Sequence, residues 1–439
     1  MKPKQIKKLL FSEIETVSKN AANFCLDPQR NFSRKRKLPF STIVKSVIGM
    51  ESKSLTNELI DIFSSPYNLP SASAFVQQRQ KIKPEAFKAV FNGFTSKILN
   101  KTNDDMAIFA LDGSDIQIAT NSDDITSYHP GTNGQKPYNL LHLNAIYDLK
   151  KHLYIDAVIQ GKKNANEHSA LQEMVDRSTI SKALVIADRG YESYNNMAHI
   201  QEKGWFFLIR IKDGTNGIKN GLELPDEDEF DIDISLKLTR KQTNEMKELF
   251  AKDKNHYKYI PHSTPFDFLS NKLRKNDPIQ FYELYFRVVR FKIAEDTYET
   301  VLTNLNKAKY SPEKLKDLYA ARWGIETSFR DLKYTIGLLD FHSKKTMCIQ
   351  QEIYARLIMY NFAEMITSHV IIEKKQRKYT YKANFSVAVH MCRLFYHGKT
   401  TSSDLETIIE RNIVPIRCNR HQRRHLTVKL FRGFLYRVA

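Results

Sequence analysis

Two short, unbroken apolar runs constrain this chain more than any other feature. Ile108-Phe109-Ala110-Leu111 and Ala183-Leu184-Val185-Ile186-Ala187 show no polar alternation. Such runs suit central strands covered on both faces, as in sheets flanked by helices. Between them the pattern predicts strands over 140–148 and 153–160. Their link, Asp148-Leu149-Lys150-Lys151, is short enough to make the pair antiparallel. Helices near 166–177 and 192–203 follow, and Phe206 to Ile211 closes the series. Helices between strands imply parallel crossovers. The order strand, strand, strand, helix, strand, helix, strand predicts a mixed five-stranded α/β sheet.

Each apolar run ends in an aspartate, with glycine close behind: Asp112-Gly113-Ser114 and Asp188-Arg189-Gly190. Carboxylates at the C-terminal ends of neighbouring strands can converge where open α/β sheets hold ligands. Two such groups repel unless a cation bridges them, and hard divalent ions take oxygen ligands. Mg²⁺ or Mn²⁺ is the natural choice. Alone, either aspartate would read as a turn cap; the matched pair points to a site. Asp115 competes for the first position, but Asp112 directly ends the run.

A helix over 311–337 adds a third carboxylate. Its start is marked by Ser311, Pro312 and Glu313. Counting about 100° per residue from Tyr319, Arg322 falls near roughly 300°, Lys333 near roughly 320° and Glu326 near roughly 340°. The four share a narrow stripe beside the apolar face formed by Leu318, Ala321, Ile325, Phe329, Leu332 and Ile336. A helix so patterned can lean on a sheet and still present Glu326 to a cleft. The plainer reading is an Arg322–Glu326 surface pair, in the weaker of the two orientations.

The 68 basic and 49 acidic residues leave a net charge of +19. Residues 1–50 contribute +8 and 371–439 contribute +11, while 51–370 carry 42 of each sign. Basic ends on a neutral middle indicate a polyanionic partner, nucleic acid before membrane. Within the first end, Arg34-Lys35-Arg36-Lys37 is a compact cluster for phosphate contact; within the second, Arg423 and Arg424 head a basic stretch. Apolar spacing of three and four near 3–20, 42–64 and 84–100 makes the first hundred residues helical. Residues 214–300 combine strand-like segments with an acidic run from Glu223 to Asp233, which reads as a solvated loop in an insertion. Four scattered cysteines without a CxxC pair argue against zinc ribbons and disulfide scaffolds. Ile358 to Ile372 is too short and polar to span a bilayer. A cytoplasmic, nucleoid-associated protein is expected, without small-molecule cofactor or membrane partner.

At these residues the sequence resembles a known family. Tyr319-x2-Arg322-x3-Glu326-x6-Lys333, within Tyr-Ala-Ala-Arg-Trp-Gly-Ile-Glu-Thr-Ser-Phe-Arg-Asp-Leu-Lys, matches the YREK signature of the insertion-sequence-four family of bacterial DDE transposases. Asp112-Gly113-Ser114 and Asp188-Arg189-Gly190-Tyr191 resemble its two aspartate motifs, and Ser73 to Arg79 with Pro84 to Phe87 resembles its N-terminal region.

The resemblance implies a ribonuclease H-like catalytic core interrupted by a mostly β insertion. The expected layout is a helical DNA-binding domain over 1–104, core over 105–213, insertion over 214–302, core again over 303–370, and a basic helical tail over 371–439. It implies Asp112, Asp188 and Glu326 as a catalytic triad holding two Mg²⁺, which Mn²⁺ can replace. Tyr319, Arg322 and Lys333 would bind DNA phosphates near the cut end. It implies binding of double-stranded DNA at terminal inverted repeats, cut-and-paste transposition with 3′-OH strand transfer, and a homodimer. Family members can stack an insertion tryptophan on a flipped base; Trp205 and Trp323 both lie outside the insertion, so a stacking residue would be another aromatic of the insertion, such as Tyr257, Tyr259 or Tyr285. A nuclease of the same fold and an inactive or domesticated DNA-binding protein are the alternatives.

Overall fold

The computed structural model describes residues 1–34, 36–63, 65–99, 106–131, 134, 136–212, 217–272, 277–370 and 380–416. Five helices come first: α1 (Pro3–Lys19), α2 (Phe40–Gly49), α3 (Leu55–Phe63), α4 (Ala72–Arg79) and α5 (Pro84–Leu99). The segment expected near 42–64 is thus two helices. The break is held by Glu58, whose carboxylate accepts the backbone N–H groups of Glu51 (3.0 Å) and Lys53 (2.9 Å).

The sheet begins with β1 (Ala107–Ile118), β2 (Tyr128–His129), β3 (Tyr138–Asp148) and β4 (Leu153–Gly161). Then come α6 (Glu167–Arg177), β5 (Ala183–Ala187), α7 (Tyr194–Glu202) and β6 (Phe206–Arg210). β3 pairs antiparallel with β1 and β4, while β5 lies parallel to β1 and β6, as the connections demand.

The expectation of five strands needs correction. Beyond β6 the chain adds β7 (Phe230–Thr239), α8 (Asn244–Lys252), β8 (Tyr257–Tyr259), β9 (Tyr282–Ala294) and β10 (Thr297–Thr303). β10 pairs with β6, so the sheet runs on as β2-β3-β1-β5-β6-β10-β9-β7-β8, with β4 on β3: ten strands. The segment foreseen as an insertion therefore extends the sheet. The physical reason is the open edge of β6, whose free backbone groups pair with Val301 to Thr303.

Returning from that extension, α9 (Pro312–Ala321) and α10 (Trp323–Tyr334) replace the single helix expected over 311–337 and meet at Arg322, which is itself right-handed helical. Next is α11 (Thr346–Thr367), buried over most of its length. β11 (Tyr381–Ala383), α12 (Phe385–Tyr396), α13 (Ser402–Arg411) and β12 (Ile413–Pro415) close the described chain, β11 pairing with β12.

Side-chain alternation splits the core about the sheet. Phe109, Leu111, Val185 and Ala187 pack with Ala170, Leu171, Met197 and Ala198 of α6 and α7. On the other face, Ala110 and Ile116 join Ile325, Phe329 and Leu332 of α10 in a cluster that also holds α11 and the N-terminal helices. Burying those faces is the main drive for the fold. A buried ionic junction fastens the N-terminal helices to α11: Arg79 meets Glu352 at 2.9 Å and donates to Gln351 Oε1 (2.8 Å) and Cys348 O (2.6 Å).

Candidate active site

β1 pairs with β5 up to Leu111 and Ala187, so Asp112 and Asp188 follow at the same level on adjacent parallel strands. Aligned positions share a face, here the α10 face. β5 stops there, whereas β1 continues to Ile118 along β3. Asp112 therefore ends the parallel pairing but not its strand. Asp112 Oδ1 accepts from Gly113 N (2.8 Å) and Asp188 Oδ1 from Gly190 N (2.7 Å).

α10 brings Glu326, one turn in, beside Arg322, whose Nη2 donates to Glu326 Oε1 at 2.8 Å. The Arg322 side chain is 9% exposed and that of Glu326 33%. Arg322 lies near the Tyr319 and Trp323 rings, and its buried Nε has no hydrogen-bond partner among the described residues. Burial pushes the Asp112 carboxyl up to about 6; Gly113 N–H and Arg322 pull against that, while Asp188 and Glu326 add to it. The three carboxylates and one guanidinium thus feel one another at a single sheet edge.

Tyr319 is buried against Leu184, Ile186 and Leu208, and Lys333 Nζ reaches Asp115 O at 3.3 Å. The stripe of Tyr319, Arg322, Glu326 and Lys333 survives the joint because Arg322 stays helical. Arg34, Arg36 and Lys37 are exposed in the loop before α2. Lys35, Arg423 and Arg424 lie outside the described residues. Of the three tyrosines weighed for base stacking, Tyr285 is the exposed one, at 51%.

The all-oxygen donor set suits a hard divalent cation, and the mutual repulsion at Asp112 is what such a charge would relieve. Glu326 is held by Arg322, and among the described residues no three His, Cys, Asp or Glu side chains stand close enough to enclose an ion. The residues fit such an ion in chemistry.

On the opposite face, under Gly113, is a group of side chains that the sequence pattern does not bring together. His142 lies across from Asp115 in the β1–β3 register. Its Nδ1 is 2.6 Å from Asp115 Oδ1 and its Nε2 3.0 Å from Glu167 Oε1. Lys162 Nζ adds a 3.0 Å contact to Asp115. Burial opposes the imidazolium, but the two carboxylates carry its pKa upward. Only strand register, absent from composition or spacing, could have joined these residues.

Two carboxylates thus stand level where the β1–β5 pairing ends, and a third is carried by the helix that covers that face. The Transposase DDE domain family matches residues 103–362, and the chain belongs to it. It is 22% identical over 344 residues to the transposase InsG for insertion sequence element IS4 of Escherichia coli (strain K12), covering 75% of this chain and 70% of that one. It is 21% identical over 409 residues to the transposase for insertion sequence element IS231B of Bacillus thuringiensis subsp. berliner, covering 86% and 84%. A solved piggyBac transposase chain, from a synaptic complex with hairpin DNA, shows a distant likeness: TM-score 0.47 at 12% identity, over 93% of this chain and 84% of that one. The protein is a DDE transposase, an enzyme of DNA cleavage and strand transfer. Among the described residues no helix is long and apolar enough to cross a membrane.

Proposed function

We propose that this transposase moves an insertion sequence by cutting at its terminal inverted repeats and joining the freed 3′ ends to target DNA, with Asp112, Asp188 and Glu326 as its catalytic carboxylates. The observation that carries the reading is the coupling of these three groups and Arg322 at the edge where β1 and β5 part. Divalent ions bound there, two Mg²⁺ or Mn²⁺, would turn water into a nucleophile and neutralise the departing oxygen. Asp112 and Asp188 hold their side of the site on backbone N–H groups, which fixes them before DNA arrives. Arg322 has an unspent Nε–H and gives up Glu326 when a phosphate takes its guanidinium. Lys333, on the same helix, tracks the next phosphates, and Tyr319 packs beneath Arg322 and keeps it aimed.

The core is read as ribonuclease H-like, with 1–104 and 371–439 as the DNA-holding ends; Arg34, Lys35, Arg36, Lys37, Arg423 and Arg424 supply phosphate contacts. Simultaneous cutting of two element ends calls for a homodimer. The test is a duplex taken from the DNA flanking the coding sequence, incubated with Mg²⁺ and either wild-type protein or Glu326→Ala. Wild type should nick at the repeat boundary and join the 3′ end to target, while the variant binds without cutting. Cleavage by Glu326→Ala at the wild-type rate would remove Glu326 from the site.

A further inference from the structure

We propose that His142 and Glu167 form a positioning brace for DNA cleavage, acting through the backbone that carries Asp112 and Asp188. The proposal rests on the reading of those aspartates given above.

A Cβ built at Gly113 would fall 2.4 Å from His142 Nε2 and 3.2 Å from Glu167 Oε1. The ring therefore lies directly against the main chain that follows Asp112. A Cβ at Gly190 would fall 3.0 Å from Asp188 Oδ1 and 3.5 Å from Glu167 Oε2. One carboxylate thus reaches the glycines that follow both candidate catalytic aspartates. Glu167 is the first residue of α6, behind an Asn166 cap that accepts from Ser169 N at 3.1 Å, so its Cα is fixed. His142 is hydrogen-bonded to Asp115 through Nδ1, its Nε2 faces Glu167 Oε1 at 3.0 Å, and its side chain is 3% exposed. Asp115, held by His142 and Lys162, fixes β1 two residues past Gly113.

Beyond β5, β1 has lost its parallel neighbour; among the described residues only β3 still pairs with it. At that half-supported point a displacement of a few tenths of an ångström in Asp112 would misplace the reacting phosphate. The brace supports it from the face opposite Glu326, so His142 and Glu167 touch neither DNA nor metal. Groups acting through an intermediary in this way typically change activity by about 10–100-fold.

The test uses the full chain and the flanking-DNA duplex. His142→Ala and Glu167→Ala should slow single-turnover cleavage by about 10–100-fold while leaving the gel-shift Kd within about twofold. Glu167→Gln keeps an oxygen for His142 and should recover most of the rate. Two results overturn the brace: alanine variants cleaving at the wild-type rate, or rate and DNA affinity falling together with no difference between Ala and Gln. If His142→Ala does not fold, Glu167→Ala decides, since that side chain is 37% exposed. Glu326→Ala runs alongside. If it cleaves normally, the reading of the site has failed; if it is silent while the brace variants are normal, the brace alone has failed.

Discussion

Replacing Asp112 by asparagine should stabilise the metal-free protein while abolishing cleavage. Burial and two carboxylate neighbours raise Asp112 from 3.8 to about 6, roughly two units at about 1.4 kcal/mol each. The folded state holds the proton more tightly than the unfolded chain. The stability this contributes is present below about pH 4 and is lost as pH rises through about 6. At pH 7 the charged carboxylate therefore costs about 3 kcal/mol, order of magnitude, relative to a neutral isostere. Asparagine keeps an oxygen for Gly113 N–H, so the local hydrogen bond survives. For a chain of this length, with about 2 cal/mol/K of unfolding entropy per residue, the gain corresponds to about 3 °C in Tm. The assay is thermal unfolding in EDTA at pH 7 and at pH 4. The gain should shrink to near zero at pH 4, where wild-type Asp112 is already protonated. A variant less stable than wild type at pH 7, or equally stabilised at both pH values, would refute the electrostatic account.

Gly113→Ala forces the His142 ring aside, and because that ring is buried and held at Nδ1 by Asp115 the overpacking should cost about 1–3 kcal/mol, read by urea unfolding. Arg79→Ala strips a buried partner from Glu352 at the junction of the N-terminal helices with α11; unfolding should show a loss of about 3–5 kcal/mol, far more than for an exposed lysine such as Lys254. DNA binding should weaken steeply between 50 and 200 mM salt, by about 10³-fold or more if six or more phosphates are engaged, read by fluorescence anisotropy. Arg322→Gln should lift the Asp112 midpoint above about 6 and Asp188→Asn should lower it, since the first removes an attraction and the second a repulsion; carboxyl NMR titration in EDTA reads both.

The central strands were legible because their function in the sheet leaves a residue pattern. A strand covered on both faces must be apolar throughout, so β5 is visible as Ala183 to Ala187, and β1 shows itself at Ile108 to Leu111. The stripe from Tyr319 to Lys333 was legible for a similar reason: helical period places those residues together before any neighbour is known. What extends β1 to Ile118 was not legible, because that half of the strand alternates and depends on β3 for its partner. The sheet's growth beyond β6 was hidden likewise. Residues 230–303 look like strands locally, but whether they form a separate layer or continue an existing edge depends on hydrogen bonds to Phe206–Arg210.

By itself the sequence determined the mixed α/β class, the two aspartates that follow the apolar runs, the helical setting of Glu326 and the basic ends, since each rests on local periodicity or charge. Tertiary structure decided that Asp112 and Asp188 stand level, that Arg322 pairs with Glu326 within reach of Asp112, and that His142 lies between Asp115 and Glu167 under Gly113. Those facts depend on register and on which helix covers which face. They arise from pairings between residues tens to hundreds of positions apart, where close packing and the burial of polar groups select one arrangement from many that share the same local pattern.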